Sequence, residues 1–429
     1  MLAGIRNKFD GDRDQRVRPA SNYSGRVPGT QTEVTMRPRR VVFLAPLFLT
    51  IALAGLTTRF SALATADLPA SLTDQEFWQL SDSLSEPNGQ FQSDNLLSNE
   101  MVFQRIVPEL VARTKPGGVY LGVGPEQNFT YIAAIKPRMV FITDIRRGNL
   151  ELQLMYKALF EISADRADFV SRLFTKKRPA GLTTASTGVE LMNAYWDVST
   201  DDEAAYATNL RTIDDHLTKT HGLPLSADDL AGIAGVYRAF YWYGPRMNYS
   251  ANVALTTNST GRGATYADLM MQGDVTGQGL SYLGSEEKFA YLKELESKNL
   301  IVPVVGNFSG PKALRAVGAY LREHGATVTA FYLSNVEMYL SRAGTWGAFC
   351  ANVATMPLDE GSLFIRPSGS NFMLRNGVGT MTVITGGGVV SSGGTGGNIV
   401  TFSSQPFGSG LVPMAAEVKN CSLPQPRRQ

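Results

Sequence analysis

The stretch VYLGVGPEQN, residues 119–128, decides how the rest of the sequence is interpreted. It begins with an apolar run typical of a buried strand and continues through Gly122-Val123-Gly124 into residues that suit the start of a helix. A glycine turn at that position lets the backbone approach a ligand closely, and the helix N-terminus presents free N–H groups. The third glycine of the dinucleotide fingerprint is missing, since Gln127 and Asn128 follow instead, which argues against NAD.

The next apolar run, MVFITD, predicts a second strand over residues 139–144, and Asp144 closes it. An acidic side chain at this strand end is placed to accept hydrogen bonds from ribose hydroxyls at the carboxyl edge of the sheet. The pattern therefore predicts a nucleoside-type ligand, held by Gly122, Gly124, Asn128 and Asp144. The alternative is a tight turn followed by a solvated aspartate.

Strand-like and helix-like segments alternate over most of the chain. Apolar runs bounded by Gly and Pro predict strands over 119–123, 139–144, 300–305, 326–333 and 362–367, and helical periodicity predicts helices over 127–135, 148–162, 285–298 and 311–324. This alternation predicts an α/β fold with a doubly wound, mostly parallel sheet. We expect a helical arm over 67–118, the sheet domain over 119–367 and a long, mostly helical insertion over about 163–280.

The N-terminal 66 residues resemble a targeting segment. Residues 1–40 carry nine Lys and Arg against four acids and are predicted to be disordered, and the sixteen residues 41–56 are free of charge. A basic stretch, an apolar run and the Ala64-Thr65-Ala66 cleavage pattern predict a signal peptide over 41–66, with an uncleaved membrane anchor as the alternative. Translation could begin at Met1 or at Met36. Both interpretations place the folded part outside the cytoplasm, in the periplasm or the extracellular space.

The C-terminal region is rich in glycine and serine, and we expect residues 368–429 to form a flexible tail with a weak strand near 378–384. Two cysteines, Cys350 and Cys421, do not make a disulfide framework. One bridge between them is possible in an oxidising compartment. The apolar surroundings of Cys350 favour a buried free thiol.

Polar residues near the expected carboxyl edge are candidates for substrate contact. In SDNLLSNE, residues 93–100, the side chains either cap the following helix or line the ligand pocket. Two further groups follow the predicted strands at 300–305 and 326–333, and there Glu337 could instead cap a helix or pair with Arg342. The candidates are Asp94, Asn95, Asn99, Glu100, Asn307, Tyr332, Asn335 and Glu337.

Several function classes are disfavoured. The net charge of +2 gives no indication of nucleic-acid binding. The three histidines are not spaced as metal ligands along one helix, so we expect no metal site. No nucleophile elbow of the G-x-S-x-G type and no P-loop is present, which removes the commonest hydrolase and NTPase interpretations.

The segments VYLGVGPEQNFTYI and MVFITDIRRGNLELQLMYKALFE resemble the first two motifs of class I S-adenosylmethionine-dependent methyltransferases. More closely, residues 75–367 resemble an uncharacterised bacterial family with that Rossmann-type fold. The resemblance implies that Gly122 and Gly124 contact the methionine part of S-adenosylmethionine and that Asp144 holds its ribose. The Asn/Asp-Pro-Pro-Tyr motif of amino methylation is absent, and the stretch between the second strand and residue 300 is longer than a minimal methyltransferase needs.

Two functions from different classes follow. One is a methyltransferase that uses S-adenosylmethionine to methylate an unknown acceptor. The other is a non-catalytic protein that binds a small ligand or a partner, is exported or anchored through residues 41–56, and kept the fold. The two conflict, because S-adenosylmethionine is made in the cytoplasm.

Overall fold

The chain folds around a central, mostly parallel β-sheet. The computed structural model describes residues 67–199, 202–257, 263–273, 278–368, 372–375, 381–385, 388–392 and 408–421. The strands within these ranges are β1 (Val119–Gly122), β2 (Met139–Asp144), β3 (Ile301–Val305), β4 (Val328–Tyr332), β5 (Leu363–Ser368), β6 (Phe372–Arg375), β7 (Met381–Thr385), β8 (Gly388–Ser392) and β9 (Gly408–Pro413). The central sheet has the order β3-β2-β1-β4-β5-β9, while β6, β7 and β8 form a separate antiparallel sheet.

Helices surround the sheet and fill the long connection between β2 and β3. In the described ranges they are α1 (Asp74–Leu84), α2 (Val107–Arg113), α3 (Gln127–Ile135), α4 (Arg147–Ile162), α5 (Arg166–Phe174), α6 (Gly188–Trp196), α7 (Glu203–Asp215), α8 (Ala227–Tyr243), α9 (Tyr266–Met271), α10 (Glu286–Ser297), α11 (Ala313–Glu323), α12 (Val336–Arg342), α13 (Trp346–Val353) and α14 (Met414–Val418). Short 3₁₀ turns precede α2 and follow α8, and a π-helix, His216–Thr220, continues α7. Four helices, α1, α6, α8 and α9, start with a capping box, which satisfies their first N–H groups.

The strand order reverses between β1 and β4. All neighbouring strands of the central sheet run parallel except β5 and β9. Because β1, β2 and β3 step in one direction and β4 and β5 in the other, right-handed crossovers put the connecting helices on both faces. The residues of β1, β2 and β3 are therefore buried throughout. The predicted α/β class with a mostly parallel sheet is confirmed, and the topology is compatible with a Rossmann-like fold.

The C-terminal residues 408–421 complete the sheet, where the sequence predicted a flexible tail. Strand β9 pairs antiparallel with β5, with Leu411 opposite Ile365, and so covers what would otherwise be an unpaired edge. Helix α14 follows, and the Cys350–Cys421 disulfide fixes its end, with a Cα–Cα distance of 5.6 Å. The prediction of a free thiol at Cys350 is wrong, because the returning chain brings Cys421 beside the buried helix α13.

The predicted targeting segment and parts of the predicted tail lie outside the described residues. This applies to residues 1–40, which were predicted to be disordered, and to residues 41–66, which were predicted to be a signal peptide or an anchor. Among the helices that the structure describes, none is both long and apolar enough to cross a bilayer. The strand expected near 378–384 overlaps β7, which is described from Met381 onward.

Candidate functional site

A cavity opens at the carboxyl edge of the sheet, where the strand order reverses between β1 and β4. Its volume is about 280 Å³, close to the small end of typical ligand sites. The walls come from the turn after β1, the ends of β2, β3 and β4, and the segment before α2. Apolar side chains such as Leu97, Ile145 and Phe308 alternate with polar ones such as Asn95, Asp144 and Asn335. This mixture of apolar walls and a few polar groups is typical of small-molecule sites.

The glycine turn is held from behind by Asn128. Its Nδ2 donates to the carbonyls of Val123 at 2.9 Å and Pro125 at 2.7 Å, and its Oδ1 accepts from the Tyr120 hydroxyl at 2.8 Å. A Cβ on Gly122 would lie 2.0 Å from Asn128 Oδ1. Gly122 and Asn128, both predicted from the sequence to contact a ligand, thus shape the turn and do not line the cavity.

Gly124 is the glycine that faces the cavity. Its φ of +77° lies in the left-handed region, and a Cβ there would meet no atom within 4 Å. Its carbonyl accepts a hydrogen bond from Gln153 Nε2 at 3.0 Å. Backbone and open space at this position allow a ligand to approach closely.

Asp144 lies at the end of β2 and lines the same cavity. Its side chain is 4% exposed, and Oδ1 accepts a hydrogen bond from the backbone N–H of Arg146 at 2.9 Å. Burial raises the pKa of Asp144, and the positive charge of Arg146 offsets part of that effect. A buried carboxylate whose oxygens are little used by neighbouring side chains can accept hydrogen bonds from donors on a ligand.

The segment before α2 contributes two of the four residues predicted from it. Asn95 and Asn99 line the cavity, and Asn95 Oδ1 accepts from the Tyr249 hydroxyl at 3.1 Å. Asp94 instead binds the backbone N–H of Val253 at 2.9 Å and pairs with Arg146. It therefore ties this segment to the loop after β2.

Glu100 and Tyr332 lie behind the cavity wall in a buried hydrogen-bond chain. Gln127 Nε2 donates to the Tyr332 hydroxyl, which donates to Glu100 Oε1, both at 2.6 Å. Ser409 of β9 donates to Glu100 Oε2 at 3.1 Å. Burial raises the pKa of Glu100, and the bonds from Tyr332 and Ser409 oppose the rise. Both residues position Gln127 and do not line the cavity themselves.

Two further predicted residues, Asn307 and Asn335, line the cavity, but Glu337 does not. Glu337 is buried in an ion pair with Arg366, with 2.7 Å between Oε2 and Nε, and also accepts from Trp346. Neither suggested role of Glu337, a helix cap or a pair with Arg342, is the one that the structure shows. Arg366 also bridges to Glu417 of α14, so this cluster fastens the C-terminal residues to the sheet.

Glu126 and Gln127, which follow the glycine turn, were not among the residues predicted from the sequence. Gln127 lines the cavity, is 2% exposed, and its Oε1 has no hydrogen-bond partner. Glu126 is fully buried, accepts from the N–H of Ser98 at 3.3 Å, and burial raises its pKa to about 8. Their place directly after a G-x-G turn was the available signal, because the first residues of that helix must lie at the strand ends.

The sequence predicted no metal site, because the histidines are not spaced as ligands along one helix. In the structure His216 and His221 converge on Glu161, and within the described residues these three side chains bring potential metal-ligand atoms within 4.8 Å of one another. The π-helix after α7 brings residues five apart to one side, which the α-helical spacing rule does not anticipate.

Comparison with known proteins identifies the family but gives no curated relative. No curated protein matches the chain. A family model described as "Domain of unknown function (DUF7790)" matches residues 96–224 and 242–381, which include Gly124, Asp144, Asn307 and Asn335. The matched residues make up more than half of the chain, which therefore belongs to this family.

Proposed function

We propose that the cavity binds a nucleoside-containing small molecule of the S-adenosylmethionine type and that the protein transfers a methyl group to an acceptor. The observation that carries this proposal is the position of Gly124 and Asp144. Gly124 follows β1 and Asp144 ends the neighbouring parallel strand β2, and both line one cavity at the point where the strand order reverses. Open α/β sheets bind nucleotides and related ligands at that point.

The residues present fit such a ligand. The Asp144 carboxylate would accept hydrogen bonds from the two ribose hydroxyls, and the backbone at Gly124 would allow the methionine part to approach. The Gln127 side chain lines the cavity, and the bond from its Nε2 to the Tyr332 hydroxyl fixes its orientation. Ile145 and Phe308 supply apolar surface for a base. S-adenosylmethionine itself would supply an activated methyl group.

The cavity wall favours binding and orientation over acid–base catalysis. Among the described residues that line the cavity, Asp144 is the one carboxyl, and none is a Lys, Arg, His or Cys. A buried acid with a raised pKa that already binds a ribose would not be free to deprotonate an acceptor. We therefore expect an acceptor that is nucleophilic without deprotonation, and a rate that depends on how the two reactants are aligned.

A second candidate is a non-catalytic binding protein outside the cytoplasm. The Cys350–Cys421 disulfide favours it, because disulfides persist in oxidising compartments, and so does the basic and apolar N-terminal stretch. In this case the same cavity would bind a ligand that is present outside the cytoplasm.

A ligand panel tests the proposal. The thermal unfolding of the full-length protein is followed with S-adenosylmethionine, S-adenosylhomocysteine, adenosine, methionine and NAD at equal concentrations. A ligand that binds the folded state raises Tm in proportion to the logarithm of its concentration over Kd. We expect S-adenosylmethionine and S-adenosylhomocysteine to raise Tm more than adenosine or methionine, and NAD to have no effect. No shift with any nucleoside would exclude the proposal and favour the second candidate.

A further inference from the structure

A cluster of two histidines and a glutamate lies outside the cavity, between α4 and the π-helix. His216 Nε2 and His221 Nε2 are 3.3 Å apart, and both lie beside the same oxygen, Glu161 Oε2, at 2.6 Å and 2.5 Å. All three side chains are more than four-fifths buried. Three potential ligand atoms thus converge on one point from two elements of the fold.

The backbone creates this convergence. In the π-helix His216–Thr220 hydrogen bonds run between residues five apart, and the N–H of His221 donates to the carbonyl of His216 at 3.0 Å. A regular α-helix brings residues three and four apart together, so it would separate these imidazoles. Short π-helical segments are frequent at functional sites.

A second carboxylate orients one of the imidazoles. Asp74, the first residue of α1, lies 2.6 Å from His221 Nδ1 and is itself held by Asn299 Nδ2 at 2.9 Å. A carboxylate on the far nitrogen of a histidine is the usual outer partner in metal sites, where it fixes the tautomer and the ring orientation. The other oxygen of Glu161 binds Lys157 Nζ at 2.6 Å, which leaves Oε2 to face the histidines.

We propose that Glu161, His216 and His221 bind one divalent transition-metal ion of the zinc type, with Asp74 as the residue that positions His221. The 3.3 Å between the two nitrogens matches the separation of two ligands at about 2.0–2.1 Å from a tetrahedral ion. Glu161 Oε2 moves outward by part of an ångström to admit the ion. Imidazole and carboxylate ligands suit zinc and its first-row neighbours, and three protein ligands leave one position for water.

The site is independent of the proposed function. Helix α4 begins three residues after Asp144 and has 16 residues, so Glu161 near its end is about 20 Å from the carboxyl edge of the sheet. The ion would join α4, the end of α7 and the start of α1. Loss of metal binding and loss of nucleoside binding are therefore separable results.

The test uses the full-length protein after treatment with EDTA. Zn²⁺ is titrated by calorimetry, and Co²⁺ by visible absorption, since a four-coordinate Co²⁺ site gives intense d–d bands. We expect one ion per chain with a Kd of micromolar or below, and a Tm that rises on addition of Zn²⁺. His216→Gln and His221→Gln should each weaken binding at least tenfold, and Asp74→Asn should weaken it by about 10–100-fold.

The matched control is His324→Gln, because His324 bonds to the Tyr320 carbonyl at the end of α11 and is not part of the cluster. Glutamine keeps a donor for Glu161, so circular dichroism should show all variants folded. If either histidine variant unfolds, the Zn²⁺ affinity of Glu161→Gln is compared with that of His324→Gln instead. The proposal is overturned if the wild type has no saturable site, or if the His216 and His221 variants bind Zn²⁺ as tightly as His324→Gln does.

Discussion

Gly122 has no room for a side chain, because the carboxamide of Asn128 occupies the space that a side chain would need. A Cβ at Gly122 would lie 2.0 Å from Asn128 Oδ1 and 2.9 Å from its Cγ. The same carboxamide closes the turn through bonds to Val123 and Pro125, which leaves Gly124 open to the cavity. The first glycine is therefore required by the turn, and the second lines the cavity.

This relationship predicts an energetic coupling between the two positions. Gly122→Ala should destabilise the protein by about 1–3 kcal/mol, because a buried Asn128 cannot move aside. In an Asn128→Ala background the same change should be less destabilising, since the nearest clashing atoms are gone and only Tyr120 Cε1, 2.9 Å from the added Cβ, remains. Denaturant unfolding of the two single variants and the double variant measures the coupling energy. Strictly additive free energies of unfolding would contradict the account.

Stability should fall as the pH rises through neutrality because of Glu126. Its pKa is raised by burial from 4.5 to about 8, so the folded state keeps a proton that the unfolded chain releases. Between pH 4.5 and 8 the free energy of unfolding therefore decreases by on the order of 1 kcal/mol for each unit by which the pH rises. Glu126→Gln removes this titrating carboxyl. The free energy of unfolding of the variant should therefore increase relative to that of the wild type as the pH is raised from 5 to 8.

The measurement is denaturant unfolding of both proteins at several pH values. Other titrating groups, such as Glu296, contribute equally to the two proteins, so their effects cancel in the difference. A stability difference that does not change with pH would show that Glu126 is ionised in the folded state.

The disulfide should hold the C-terminal strand in the sheet. Cys350 and Cys421 are separated by 71 residues, and a bridge that closes such a loop stabilises a protein by about 2–4 kcal/mol. Cys421→Ser should lower the free energy of unfolding by that amount and should increase the rate of hydrogen exchange in β9. The Cys350→Ser/Cys421→Ser double variant is the control and should match the single one. Equal stability of the wild type and both variants would mean that the pairing of β9 with β5 is sufficient.

Ligand affinity should depend on the ionisation of Asp144. Burial raises its pKa above 3.8, and only the ionised form accepts bonds from two ribose hydroxyls. Affinity for S-adenosylhomocysteine should therefore decrease as the pH falls through this raised pKa. Asp144→Asn should lack that decrease, and the ratio of the two dissociation constants removes the ligand's own titration. A ratio that stays constant with pH would contradict the role of Asp144.

The sequence is sufficient to predict most of the sheet. The strands expected over 139–144 and 300–305 are β2 and β3 to within a residue, because continuous apolar runs between Gly and Pro have few alternatives. Strand β9 was missed, since GSGLVP lies in a Gly-rich region and is strand only because β5 offers an edge. A strand that forms because of tertiary pairing has little indication of strand structure in its own sequence.

The residues of the site likewise fall into some that the sequence predicts and some that depend on distant partners. Gly124, Asp144, Asn307 and Asn335 were predicted from the sequence and line one cavity, because the carboxyl ends of parallel strands meet at one edge. The expected roles of Glu337 and Tyr332 depended on partners that sequence spacing does not indicate. Arg366 is 29 residues from Glu337, and Glu100 is 232 residues from Tyr332.

The most direct test is a calorimetric titration of the full-length protein with S-adenosylhomocysteine. Three proteins are compared: the wild type, Asp144→Asn, and Asp359→Asn, which makes the same chemical change before β5 at the opposite edge of the sheet. The account predicts micromolar or tighter binding by the wild type and by Asp359→Asn, and at least tenfold weaker binding by Asp144→Asn, equivalent to about 1.4 kcal/mol. A folded wild type that does not bind, or an Asp144→Asn variant that binds equally well, would contradict it.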